Sequence, residues 1–346
     1  MTVKIAKPKI ETRQKFEELR KPSGIAGESM LRAKTTGEQQ ALLGVGRKNL
    51  LINSAFQISQ RGDYTSATAM TTNNYKFGVD RRQNNTSNVA ATFQQLTGYP
   101  TANENYMRLV ATSSASGYYR MFQRIEGNFE GRVLTFSAWV KSNDSDARLI
   151  TIATGAWVTN NKAKHSGSGL WEKLTLTVTA GDYDNPHFVI GNMNSAHGNT
   201  DVTAGDYIEV ANPQVEIGTV PTPLEYRTQA EELALCQRYF HTYGGNSTNE
   251  RIVLAFAHAA NQARGIIQNP VTMRTTPTII VSAVNHFIIE HSGTNAVCTA
   301  IAVDQPSPQN TAINFTVGSN ALTQGHGMQI MGNSTTSARL QISAEV

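Results

Sequence analysis

The sequence predicts a mainly β protein: an antiparallel jelly-roll β-sandwich followed by a smaller β domain, with short N-terminal helices and one junction helix. Three observations carry this. Only 16% of the 346 residues are charged, whereas Ser, Thr, Asn and Gln number 108, an excess of uncharged polar residues that suits turns and solvent-facing strand positions. From Asn49 to about Thr228, apolar residues recur with period two in short runs punctuated by Gly, Asn and Asp. Helical spacing is convincing over only one longer stretch, 229–240. At roughly 150 residues per domain, the chain has length enough for two domains.

Taken in order, residues 1–10 mix β-branched and basic residues, and Pro8 prevents full sheet pairing, so they read as an extended arm. Residues 11–21 are predicted to form a short charged helix whose apolar content, Phe16 and Leu19, is too small to bury alone and predicts packing against a partner. A second helix is predicted at 36–43, where Thr35 and Glu38 have capping-box spacing and Gly44 supplies the stop. The first large domain begins near Asn49, after an N-terminal unit of 1–48.

In LTFSAWV, Leu134, Phe136, Ala138 and Val140 share the core face, with Thr135, Ser137 and Trp139 opposite. KLTLTVTAGD repeats the pattern, with Leu174, Leu176 and Val178 inward and Lys173, Thr175 and Thr177 outward. Further strands are expected at 50–58, 106–113, 118–126, 148–154, 187–191 and 206–217. So many antiparallel strands over 49–228 predict a two-sheet jelly roll. QAEELALCQRYF, 229–240, follows as a helix in a junction of 229–241. Leu233, Cys236 and Phe240 make one apolar stripe, and Leu235 and Tyr239 a second, so two readings stand: self-association about an axis, or a linker helix wedged between two domains. From Arg251, strands return in IVLAFAH, RGIIQ, TIIVSAV, HFIIEHS, AVCTAIAV, AINFTVG, GMQIMG and ARLQISA, giving a second β domain over 242–346.

Composition of this kind belongs to extracellular or virion proteins rather than to typical cytosolic enzymes. No apolar run reaches the roughly 18–20 residues of a membrane span, and the N-terminus lacks a secretory pattern, so synthesis in a cytosol without membrane insertion is expected. Cys236 and Cys298 are too few for a disulfide framework. The net charge of +4 comes from residues 1–50, whose balance is +6, against −2 for the rest. Phe16 is the only aromatic residue before Phe56, so this basic segment does not read as a nucleic-acid binder. It reads either as a docking peptide for an acidic protein surface or as a solvated tail.

The sequence then shows a series of ordered resemblances. NLLINSAFQISQRG (49–62), GRVLTFSAWVK (131–141), WEKLTLTVT (171–179) and IEVANPQVEIGTVPTPLEYR (208–227) resemble, in that order, a β-sandwich module of bacteriophage tail fibres and related virion appendages. EELALCQRYF, NPVTMRTTPTIIVS and the terminal ISAEV are similar to the junction helix and tip domain of the same proteins, and MLRAKTTGEQQALLGVG resembles a helical element that precedes them. The resemblance covers about 30–346. It implies a non-enzymatic, homotrimeric tail-fibre protein, made in the host cytoplasm and carried on the virion surface. Its middle domain would be carbohydrate-binding-like, and its receptor a host-surface polysaccharide or protein. On this reading Lys4, Lys7, Lys9, Arg13, Phe16 and Leu19 anchor the arm to other virion proteins, of the tail or the capsid. Leu233, Leu235, Cys236, Tyr239 and Phe240 serve oligomerisation. A capsid head fibre or decoration protein is the nearer alternative, and a glycan-degrading enzyme the remoter one. One departure stands out: Asp80-Arg81-Arg82 occupies the place of an expected Asp-Arg-Trp, so a core or sugar-facing tryptophan is missing there.

Sugar recognition by a jelly roll rests on aromatic faces beneath the sugar ring, with amides and carboxylates bonding its hydroxyls. Trp139 and Trp171 lie opposite the apolar alternation, and Trp157 sits in a loop-like run beside Asn160 and Asn161; these five are the glycan-binding candidates. Other chemistry is weakly marked. The eight histidines lack zinc spacing. Asp144-Ser145-Asp146 and Asp182-Tyr183-Asp184-Asn185 could hold calcium through oxygens, yet are more simply turn formers, so no cofactor is expected. Glu126, Glu130, Glu172, Asp182, Asp206, Glu209 and Glu216 show no spacing that pairs two carboxylates across a sugar, and no nucleophile elbow or phosphate loop occurs. Catalysis is not expected.

Overall fold

The computed structural model describes Arg32 and residues 49–70, 75–99, 101, 104–152, 157–194 and 198–345, with the backbone alone at 152 and 157–162. The predicted arm, the two N-terminal helices and the anchoring residues Lys4, Lys7, Lys9, Arg13, Phe16 and Leu19 lie outside the described residues.

The first unit contains β1 (Thr68–Ala69), β2 (Lys76–Phe77), β3 (Gln83–Ser87), β4 (Ala91–Thr97), β5 (Asn105–Ala111), β6 (Ala115–Arg124), β7 (Val133–Ser142), β8 (Ala147–Ile152), β9 (Trp157–Lys164), β10 (Trp171–Thr179), β11 (His187–Asn192), β12 (Thr200–Val202) and β13 (Tyr207–Ile217). Sheet I runs β1-β4-β5-β13-β7-β10, and sheet II runs β2-β3-β6-β11-β8-β9 with β12 beside β6. The strand pairings are antiparallel. Phe93, Leu109, Phe136 and Leu174 from sheet I meet Tyr119, Met121, Leu149 and Phe188 from sheet II in one core. Burial of each large apolar side chain contributes about 1.5–3 kcal/mol, which is what closes the two sheets on each other.

Leu134, Phe136, Ala138 and Val140 point inward as predicted. The opposite face of β7 differs from expectation, because Thr135 and Ser137 are buried too. Thr135 Oγ1 donates to the Gly218 carbonyl at 2.7 Å and lies 3.1 Å from Thr177 Oγ1, so the chain leaving β13 covers this end and leaves Trp139 where the face opens. β3 escapes apolar alternation because its sequence is QNNTS, buried through polar side chains. Trp157, read as a loop residue, begins β9 in sheet II.

The strand expected at 50–58 is replaced by a turn knot. Asn53 adopts φ 59°, its Nδ2 donates to the carbonyls of Ile58 (2.8 Å) and Asp80 (3.0 Å), and its Oδ1 accepts from Ile58 N. Asn49 Oδ1 accepts from Leu51 N and Val215 N, tying the knot to β13. Side-chain amides thus take the backbone groups that a ladder would use. Leu51, Phe56 and Ile58 still reach the core.

After β13, α1 (Gln229–Gln237) is held by a capping box between Thr228 and Glu231. It ends three residues before the predicted limit, because Tyr239 N bonds back to Cys236 O and Phe240 starts β14 (Phe240–Tyr243). This corrects the two-stripe helix. Cys236, Tyr239 and Phe240 are buried within the chain, so they are not open to a second copy, while Leu233 and Leu235 are half-buried.

β15 (Arg251–Ala259), β16 (Gln262–Gln268), β17 (Thr278–Val281), β18 (Phe287–His291), β19 (Thr294–Asp304), β20 (Asn310–Val317), β21 (Gly327–Gly332) and β22 (Leu340–Ser343) complete the chain. Six of these close into a barrel, β15-β16-β20-β19-β18-β21, and β14-β22-β17 form a three-stranded sheet beside it. Closure removes sheet edges. Ala263, Phe287, Ile289, Ile313, Phe315 and Ile330 fill the barrel.

An ionic and aromatic junction fastens the two units. Arg61 lies over Phe240 at 3.5 Å and Arg81 over Tyr239 at 3.6 Å, and both guanidiniums pair with the Glu345 carboxylate. Glu126 accepts from Arg238 at 2.8 Å and from the Tyr239 hydroxyl. In place of the expected tryptophan, Arg82 is fully buried. It donates to Gln123 Oε1, and its guanidinium lies 5.2 Å from the Phe56 ring. Burial, then repulsion from Arg81, holds its pKa below the ordinary arginine value.

Candidate functional site

The outward face of sheet I carries two registered rows of side chains. One runs Gln94, Arg108, Glu209, Lys141 and Trp171 across β4, β5, β13, β7 and β10. The next places Leu96 opposite Tyr106, and Trp139 between Ala211 and Lys173. Strand alternation puts these residues on the face opposite the core.

Tyr99, from the turn after β4, brings the aromatic groups together. Its ring stacks on Trp171 with centroids 3.8 Å apart and planes 8° apart, and meets Trp139 edge-on at 6.2 Å. Tyr106 packs its edge against Trp171 at 5.7 Å and 90°. All four rings are half-buried. They form a thick apolar plate on an otherwise polar sheet. Burial raises the pKa of Tyr99, and burial followed by the nearby Glu209 charge raises that of Tyr106, so both phenols stay protonated at neutral pH and keep a donor proton.

Beside the plate, Glu209 is buried between Lys141 Nζ at 3.2 Å and Arg108 Nε at 3.6 Å. Both cations also face the Tyr207 ring, at 5.2 Å for Arg108 and 5.9 Å for Lys141. Two half-exposed cations around one buried carboxylate leave this edge with positive charge and several N–H donors. The arrangement can bind a flat, hydroxyl-bearing ligand: apolar contact on the plate, hydrogen bonds at the rim.

Of the glycan candidates, Trp139 and Trp171 fall within this site. Trp157, Asn160 and Asn161 lie in β9 of sheet II, with their side chains outside the described residues. Sequence reasoning missed Tyr99, Tyr106, Tyr207, Arg108 and Lys141. The alternation of Tyr106 and Arg108 with the apolar Met107 and Leu109 was a usable signal; Tyr99, in a turn, offered none.

Other carboxylates have protein partners. Glu172 accepts from Ser166 and Ser168, Glu216 from Thr222, and Glu126 from Arg238 and Tyr239. Asp144 accepts from Asn192 at 2.6 Å, and Asp146 pairs with Arg148 at 2.8 Å and Lys164 at 3.4 Å. Among the described residues no group of three or more His, Cys, Asp or Glu is placed to hold a metal ion. Nor is any described helix long and apolar enough to cross a membrane.

No protein-family model and no curated protein matches the chain. Among solved structures, the enzymatically active domain of bacteriophage CBA120 tailspike protein 4 is 12% identical at a TM-score of 0.32, covering 49% of this chain and 21% of that one. TmCBM61 in complex with β-1,4-galactotriose is 11% identical at 0.30, covering 50% of this chain and all of that one. The family 11 carbohydrate-binding module of Clostridium thermocellum Lic26A-Cel5E is 14% identical at 0.27, covering 45% of this chain and 98% of that one. This chain therefore spans about a fifth of the tailspike chain.

Proposed function

We propose that this chain is a non-enzymatic glycan-binding fibre protein of a virion, and that the outward face of sheet I is its receptor platform. The carrying observation is the plate of Tyr99, Trp171, Tyr106 and Trp139 beside the Arg108–Glu209–Lys141 row. Its chemistry suits a sugar, whose C–H faces are apolar and whose rim is hydroxyl. The virion assignment rests on the ordered sequence resemblance, and attachment is proposed through residues 1–48. Homotrimerisation is proposed through surfaces other than the buried Cys236, Tyr239 and Phe240. Light scattering tests it, with a monomer at micromolar concentration as the contrary result.

A glycan array of host-surface polysaccharides tests the platform. Wild-type protein should bind a saccharide set that Trp171→Ala and Tyr99→Ala lose by about ten- to a hundredfold, the loss typical of an anchoring aromatic. Released oligosaccharides on prolonged incubation would instead identify an enzyme.

A further inference from the structure

A cleft of about 510 Å³ opens at the seam between the sandwich and the barrel-side sheet. Gln60, Asp63 and Gln95 line it from the sandwich, and Thr242, Asn246 and Arg339 from the other side. No aromatic or aliphatic side chain lines it, so apolar burial cannot drive binding there.

The hydrogen-bonding inventory defines what fits. Gln95 Nε2 donates to the Phe56 carbonyl at 2.6 Å, Gln60 Nε2 to the Phe240 carbonyl at 2.9 Å, and Asn246 Nδ2 to Glu250 at 2.8 Å. Gln60 also donates to Asp80, which engages both of its N–H groups, so a ligand meets the amide oxygens together with one remaining N–H each of Gln95 and Asn246. Asp63 accepts from Thr65 N at 2.8 Å and is otherwise exposed, adding another acceptor. Hydroxyl groups, which both donate and accept, match this mixed lining. Arg339 adds the charge. Its guanidinium has no ion-pair or hydrogen-bond partner among the described residues, and its five N–H donors suit bidentate capture of a carboxylate.

Two glycines place that guanidinium. Gly244 (φ 83°) and Gly245 (φ 89°) follow β14 in the left-handed region. A Cβ at Gly245 would lie 2.4 Å from Arg339 Nε and 2.9 Å from its Cγ, and one at Gly244 would lie 2.3 Å from the Ala338 carbonyl. The Arg339 side chain thus rests on bare backbone. We propose that this cleft is a saccharide site separate from the aromatic plate and selective for a sugar carrying a carboxylate, with Arg339 binding the carboxylate and the amide and Asp63 oxygens accepting from hydroxyls. Polyphosphates and nucleic acid are disfavoured, since a single cation faces several acceptors.

Calorimetry on the full chain tests it with trigalacturonate and its methyl ester, which keeps every ring hydroxyl and removes the charge. Trigalacturonate should bind saturably and more weakly as salt rises. Esterification, Arg339→Gln and Gly245→Ala should each weaken binding at least about tenfold, as expected for a lost charge-assisted pair. Trp171→Ala should leave it unchanged, which separates this site from the sheet I platform. No saturable binding, equal binding of acid and ester, or loss on Trp171→Ala would each overturn the proposal. The ester comparison needs no variant, so it decides the matter even if a substitution disturbs folding.

Discussion

Replacing Glu345 by Gln probes the junction with almost no change of shape. Glu345 pairs with Arg61 at 2.9 Å and with Arg81, and the three side chains are only 7%, 10% and 3% exposed. Breaking a buried pair by removing one partner typically costs about 3–5 kcal/mol, because a charge stays buried without its counterion. Here the loss is moderated: Arg61 keeps Asp80 at 3.6 Å and two aromatic rings, and Arg81 keeps the Arg124 carbonyl at 2.9 Å and the Tyr239 ring. We expect about 2–3 kcal/mol, or a fall in melting temperature of roughly 3–4 °C for a chain of 346 residues unfolding as one unit. Thermal unfolding followed by far-UV circular dichroism measures it, with exposed Glu130→Gln as a control expected within about 0.5 kcal/mol of wild type. If Glu345→Gln matched that control, the junction would not be an electrostatic clamp.

Acid should weaken the fold through two histidines. Burial, then the charges of Arg124 and Arg120, pushes the His187 pKa down to about 4, and burial pushes that of His241 to about 4 against a weaker opposing bond to Asn269. With unfolded values of 6.5, the unfolded chain takes up protons first as pH falls, so stability is full above 6.5 and declines between 6.5 and 4. The decline is on the order of 3 kcal/mol per histidine. Urea titrations across this range should show it, with a shallower slope in His187→Gln and His241→Gln; unchanged slopes would contradict it. Both cysteines are buried, and burial raises both thiols, Cys298 to about 12. Iodoacetamide at neutral pH should label neither in the native protein and both in urea, and rapid native labelling of Cys236 would contradict its packing beneath the junction.

Period-two alternation located β7, β10 and the barrel strands because one face of each packs on a core while the other is polar or exposed. It failed where burial is polar or where side chains replace a ladder. β3 hides Asn84 and Asn85, and the knot at Asn49–Ile58 uses asparagine side chains to satisfy the backbone. The helix overran because Tyr239 and Phe240 continue an apolar spacing, yet they serve the junction as surfaces for Arg81 and Arg61. At the platform, Trp139 and Trp171 were legible from parity alone. Their union depends on Tyr99, a turn residue whose position is fixed by tertiary packing, and on cross-strand register, which one strand's sequence does not contain.

The central claim is that the aromatic face of sheet I binds glycan. Its most direct test is titration of the purified protein with host-surface oligosaccharide while tryptophan fluorescence is recorded. Two of the three tryptophans, Trp139 and Trp171, lie in the platform, so occupancy should shift emission saturably. Trp171→Ala should move that response to about ten- to a hundredfold higher ligand concentration with the circular dichroism spectrum unchanged. Saturable binding to host cells with no fluorescence response, or full binding by a folded Trp171→Ala, Tyr99→Ala double variant, would contradict the account and place the receptor contact elsewhere.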